Sequence, residues 1–267
     1  MAKKRFFLLL STLLIAAVFL AGCGGATGVA TSWPGLTIDA DRQTAYLAYG
    51  QHVYAINLET GAERWRFPAQ ADNKISFYAP PALSEDGQLL LGGYDHKLYS
   101  VNAENGQQNW VFTESTDRYI AAPLAVNGAI YAPSANHRLY ALDNSGKLNW
   151  TFKAGQPLWA TPTAGEDRIF LSAMDHYLYA IDPASGEALW KSEDLGGAVV
   201  GMPVVQNGTI YVGSFGQEML AIEAETGKVI WRYPTAGWVW SGPAVGGGRL
   251  SFGGLARKMI SINATTG

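Results

Sequence analysis

Between residues 203 and 233 short apolar runs alternate with turn residues. Pro203-Val204-Val205 is extended and apolar, and Asn207-Gly208 supplies the positive backbone angles of a tight hairpin turn. Thr209-Ile210-Tyr211-Val212 follows with β-branched and aromatic residues. A glycine-containing turn, Ser214-Phe215-Gly216-Gln217, leads into Met219-Leu220-Ala221-Ile222, and Thr226-Gly227 then turns the chain into Val229-Ile230-Trp231-Arg232-Tyr233. The pattern predicts four antiparallel strands in a meander of roughly forty residues. After the leader no stretch holds a 3.6-residue apolar period long enough for a helix, so the mature protein reads as all-β.

Nearly the same pattern is written six times. Its clearest segment, Leu178 to Trp190, returns as Val53 to Trp65, Leu98 to Trp110, Leu139 to Trp150, Leu220 to Trp231, and a copy that starts at Met259 and stops at Gly267. Trp65, Trp110, Trp150, Trp190 and Trp231 are separated by 45, 40, 40 and 41 residues, a period that signals a propeller or a solenoid. The first hairpin turn is refilled each time by Asp41-Arg42, Asp86-Gly87, Asn127-Gly128, Glu166-Asp167, Asn207-Gly208 or Gly247-Gly248. Pro34, Pro81, Pro123, Pro162, Pro203 and Pro243 open the repeats, where a strand begins and no ladder donor is needed. The expected fold is a β-propeller of four-stranded antiparallel blades, six visible and the last incomplete. One meander cannot bury both of its apolar faces alone, whereas radial stacking covers both. A tryptophan on each outermost strand can lie across the seam to the next blade, and the small residues Ala55, Ser100, Ala141, Ala180, Ala221 and Ser261 leave room for it.

Ala180, Asp182, Ser185, Gly186, Glu187 and Trp190, in that order, resemble the tryptophan-docking motif of the quinoprotein family, the pyrroloquinoline-quinone-like propeller repeats. Ala221, Glu223, Thr226, Gly227, Lys228 and Trp231 match it almost as well, and the copy from Ala141 to Trp150 is one residue shorter in the turn. The resemblance runs from Trp33 to the end. For fold it implies the propeller; for function it implies either a dehydrogenase or a protein without catalysis. Family dehydrogenases combine the repeat with an eight-bladed domain, a vicinal disulfide, calcium ligands and a catalytic aspartate. This sequence has one cysteine and no inserted segment carrying a calcium-binding set, so the expectation is no catalysis and no cofactor.

The first residues are an address. Lys3-Lys4-Arg5 is a positive segment, Phe6 to Leu20 is apolar apart from Ser11 and Thr12, and Leu20-Ala21-Gly22-Cys23 sets small residues before the chain's single cysteine. Residues 1–22 resemble a bacterial lipoprotein signal, with lipid attached at Cys23. An ordinary secretory leader or a short membrane anchor competes with that reading, but the apolar run falls short of the ~20 residues a spanning helix needs. Residues 23–32 are small and polar, a flexible tether, and residues 33–267 form the propeller domain. A tryptophan is due about four residues beyond Gly267, so a C-terminally truncated sequence with seven or eight blades in full is expected, a native six-bladed ring being the rival.

No disulfide is possible within the mature chain, so packing must supply stability. Removing Lys3, Lys4 and Arg5 takes the net charge from −3 to −6, which argues against nucleic acid as a partner. All four histidines, His52, His96, His137 and His176, hold nearly one repeat position. Successive blades spread them around the ring, too far apart for one ion, so no metal is expected. No nucleophile elbow, phosphate loop or paired carboxylates stand out. One set departs from the repeat consensus: Tyr78, Tyr119, Trp159 and Trp240 lie three or four residues before the blade-opening prolines, with Trp238 close by. They should ring one mouth of the central channel, as a ligand or partner rim or as a plug of the funnel.

The functional expectation is a lipid-tethered, extracytoplasmic scaffold that binds a protein partner in the cell envelope. It is similar to the propeller lipoproteins of the outer-membrane β-barrel assembly machinery, which implies the periplasmic face of the outer membrane, or the outer face of the cytoplasmic membrane where there is no outer membrane. An envelope sensor or carbohydrate-binding module stands as the alternative.

Overall fold

The computed structural model describes residues 35–267. The leader, Cys23, the tether and the first two residues of the expected domain lie outside the described residues. Within them there is no helix, and six antiparallel meanders follow one another, each joined in chain order from innermost to outermost strand. Five are four-stranded, at residues 35–67, 82–112, 124–153, 163–191 and 204–234; the sixth, at 244–263, has three strands among the described residues. The innermost strands start at Gly35, Ala82, Leu124, Thr163, Val204 and Ala244, each directly after one of the six prolines. Three hairpins use paired positive φ angles, at Asn127-Gly128, Asn207-Gly208 and Gly247-Gly248, as a type I′ turn requires. In the first blade a four-residue link spans 40–43 instead of a turn at Asp41-Arg42: the Asp39 carboxylate accepts the Arg42 N–H at 3.0 Å and its guanidinium at 2.6 Å.

Packing occurs at the seams between blades. Five clusters of buried residues each join one blade to the next, because alternate residues of every strand point to opposite faces. In the fourth blade Leu178 and Ala180 pack toward the fifth, while Tyr179 and Ile181 pack toward the third. The tryptophans straddle these seams. Each pairs across its own sheet with the small residue of the motif, as in Ala180↔Trp190, beside a register shift at the next position. Each indole N–H then reaches the following blade: Trp65 to Ala103 O at 3.2 Å, Trp110 to Asn144 O at 2.9 Å, Trp150 to Pro183 O at 3.0 Å, Trp190 to Ala224 O at 3.1 Å and Trp231 to Ala264 O at 3.3 Å. All five side chains are half-buried.

The receiving turn explains the rest of the motif. Asp182 accepts the Ala184 N–H at 2.8 Å and the Ser185 hydroxyl at 3.0 Å, a local turn typical of Asn and Asp. Asp143 accepts from the Ser145 N–H and hydroxyl and from the Lys147 N–H. The backbone hydrogen bond from Ala184 and then the Ser185 hydroxyl hold Asp182 below the usual carboxylate range. The Ser145 hydroxyl and then the Lys147 N–H do the same for Asp143. A depressed folded pKa contributes stability that is present above the unfolded value and lost as pH falls through the folded one. Neutral Asn57, Asn102 and Asn263 accept the equivalent turn bonds in other blades. The double variant Asp143→Asn/Asp182→Asn should therefore melt like the parent at neutral pH but lose less stability below about pH 4; thermal melts across that range check it.

Candidate functional site: the aromatic mouth

The segment that enters each blade is pinned by two backbone hydrogen bonds to two different blades. Four residues before the proline, an N–H donates to the preceding blade: Phe77 to Gly50 O, Tyr119 to Gly93 O, Leu158 to Ser134 O, Val199 to Ala173 O and Val239 to Ser214 O. Five residues before the proline, a carbonyl accepts from a turn of its own blade: Tyr94 N–H to Ser76 O, Ala135 to Arg118, Met174 to Pro157, Phe215 to Ala198 and Leu255 to Trp238. These bonds fix which way successive side chains point.

The residue four before the proline is turned into the seam. Phe77, Tyr119, Leu158, Val199 and Val239 are all buried, none more than 1% exposed. Glycine makes space for two of them: a Cβ on Gly92 would stand 2.6 Å from Tyr119 Cβ, and one on Gly213 only 2.2 Å from Val239 Cγ1. Tyr119 is therefore corrected from rim to core, where burial pushes its phenol pKa upward. The residue three before the proline forms the inward column: Tyr78, Ile120, Trp159, Val200 and Trp240. Ile120 takes the place expected for Tyr119, and counting strictly from Pro123 would have found it.

The structure also brings in residues that the sequence reading passed over. The hairpin between second and third strands presents Tyr94, Met174, Phe215 and Leu255 at one repeat position. Each precedes by two residues the left-handed tip of that turn, His96, His176, Gln217 or Arg257, at φ +68, +76, +63 and +61; that spacing was the available signal. Tyr94 stacks on Tyr78 with centroids 4.2 Å apart, and the Arg118 guanidinium lies 5.4 Å from the Tyr94 ring centre. Phe215 stacks on Trp238 at 4.7 Å and meets Trp240 at 5.1 Å. The Trp159 indole N–H is buried without a hydrogen-bond partner among the described residues. The imidazoles of His96, His137 and His176 sit on three separate blades.

A family model described as outer membrane protein assembly factor BamB matches residues 28–121, 117–200 and 174–267. The chain belongs to the BamB-type family of pyrroloquinoline-quinone-like repeats. The BamB-type chain is 27% identical over 161 residues to outer membrane protein assembly factor BamB of Burkholderia pseudomallei, 56% of this chain and 41% of that protein. It is 29% identical over 138 residues to the quinohemoprotein alcohol dehydrogenase ADH-IIG of Pseudomonas putida, 43% of this chain and 19% of the enzyme. The aligned segments thus span less than half of either relative. Among solved structures, BamB of Moraxella catarrhalis superposes with a TM-score of 0.74 at 15% identity, covering 87% of this chain and 72% of that one; this likeness shows the fold, a β-propeller.

The dehydrogenase relatives raise the question of a quinone and its calcium ion. The inward column of this BamB-type mouth, Tyr78, Ile120, Trp159, Val200 and Trp240, holds neither a carboxylate nor a cation. These residues do not supply the oxygen donors that a calcium-held quinone needs. Aromatic side chains around a concavity instead suit contact with another molecule.

Proposed function

We propose that this chain is a lipid-anchored, extracytoplasmic propeller scaffold that serves outer-membrane protein assembly by holding partner proteins, without catalysis. The observation that carries the reading is the BamB family match, which extends through every blade. The leader and Cys23 support the anchor, since a small-residue run before a lone cysteine suits lipidation. Seams locked by tryptophan make each blade a rigid support, and the mouth offers Trp, Tyr and Arg, the side chains that dominate binding energy at protein interfaces.

Expression of the full chain in a Gram-negative host tests it. The protein should fractionate with membranes, and detergent-solubilised material should co-purify outer-membrane assembly proteins. Cys23→Ala should release it into the extracytoplasmic soluble fraction. Dye-linked alcohol oxidation after addition of the quinone and calcium would overturn the non-catalytic reading.

A further inference from the structure

The fifth and sixth blades carry an apolar platform at this mouth. Phe215 and Trp238 stack with 12° between their planes, and Trp240 leans on Phe215, yet Trp238 and Trp240 stay 45% and 39% exposed. Leu255 is 59% exposed and its N–H donates to Trp238 O at 2.9 Å. Met202, 45% exposed, adjoins it, because a Cβ on Gly242 would meet the Met202 carbonyl at 2.7 Å. Large apolar side chains grouped in water on a pinned backbone mark a contact surface.

Beside this platform lies an excess of negative charge. Gly197 rests on the Phe215-Gly216 backbone, where a Cβ would come 2.3 Å from Gly216 N, and this brings Glu193 and Asp194 next to Glu218. Arg232 bridges Glu218 and Glu193 at 2.6 Å each and donates to the Asp194 carbonyl at 3.2 Å. His176 Nδ1 is 3.5 Å from the Asp194 carboxylate. With that imidazole neutral, three carboxylates face one guanidinium.

We propose that the platform docks an extended peptide segment of a partner protein in which basic residues stand beside aromatic or long apolar ones. The proposal rests on the scaffold reading and narrows it to a partner chemistry. Exposed indoles accept a cationic side chain over their faces, and Met202 and Leu255 are pliable surfaces for an apolar side chain. The carboxylate excess favours a positive partner and speeds its approach. A neutral sugar would use the indoles but draw nothing from the carboxylates.

The test is fluorescence anisotropy on the detergent-solubilised full chain with two short labelled peptides, one alternating Arg with Phe and Leu, the other with Glu in place of Arg. The Arg peptide should bind, more weakly as salt rises, and the Glu peptide should not. Trp238→Ala and Trp240→Ala should each weaken binding about tenfold, and Glu193→Gln/Asp194→Asn should flatten the salt dependence, all with parental melting temperatures. Equal binding of both peptides, indifference to the tryptophan variants, or binding of an N-acetylglucosamine oligosaccharide in place of the peptide would overturn the platform. Tryptophan variants that still co-purify assembly partners also overturn it and leave the scaffold standing. Peptide binding with no co-purifying partner keeps the platform and overturns the scaffold.

Discussion

Trp150→Ala should lower the stability of the propeller domain by about 3 kcal/mol, the lower part of the range for deleting a large aromatic side chain. The lower part applies because the indole is half-buried. Its loss empties the space against the Gly186 backbone, where ring atoms come within 2.6 Å of a hypothetical Cβ. It also strands the Pro183 carbonyl that accepts the indole N–H at 3.0 Å, and removes the contact with Tyr131 at 5.7 Å between centroids. Trp150→Phe keeps a ring in the seam and forgoes the hydrogen bond, a net loss of about 1 kcal/mol for that bond. Urea unfolding followed by circular dichroism separates the two variants. An alanine variant that unfolds at the parental urea concentration would mean that the seams hold without their indoles.

The partner of that ring sets the second expectation. Gly186→Ala should cost about 3 kcal/mol, combining the left-handed backbone penalty with overpacking. Gly186 sits at φ +78, and its N–H is tied to Asp182 O at 2.9 Å, so the turn cannot easily move away. The new methyl would meet Trp150 Cδ2 and Cε3 at 2.6 Å. Gly208 provides the control: it has φ +74 but nothing within 4 Å of a Cβ. Gly208→Ala should therefore show the backbone penalty alone, about 1 kcal/mol. In a Trp150→Ala background the Gly186→Ala cost should shrink toward the Gly208 value, a coupling that a double-mutant cycle measures directly. Equal costs at Gly186 and Gly208 in the parent would show that the indole does not lie on that turn.

The same turn carries much of what was legible beforehand. Asp182 to Trp190 could be read as a unit because its parts act locally: a carboxylate closing its own turn, a glycine for the left-handed position, a proline opening the next strand. The mouth was harder to read. Tyr119 and Ile120 are neighbours, both large and apolar in part, and composition does not say which one faces inward. Phe215 and Leu255 passed unnoticed because they stand in a hairpin turn, where an apolar residue carries no periodic signal.

Periodicity and turn chemistry thus determined the all-β fold, the blade boundaries and the motif tryptophans, since each depends on residues a few positions apart. The tertiary structure decided which side chains share the mouth. There the entering segment is irregular, and its direction is set by hydrogen bonds to two separate blades, Tyr119 N–H to Gly93 O and Ala135 N–H to Arg118 O. No local pattern encodes bonds made across such distances in the chain, so the stacking of Trp238 on Phe215 and the nearby carboxylates emerged only once the blades were assembled.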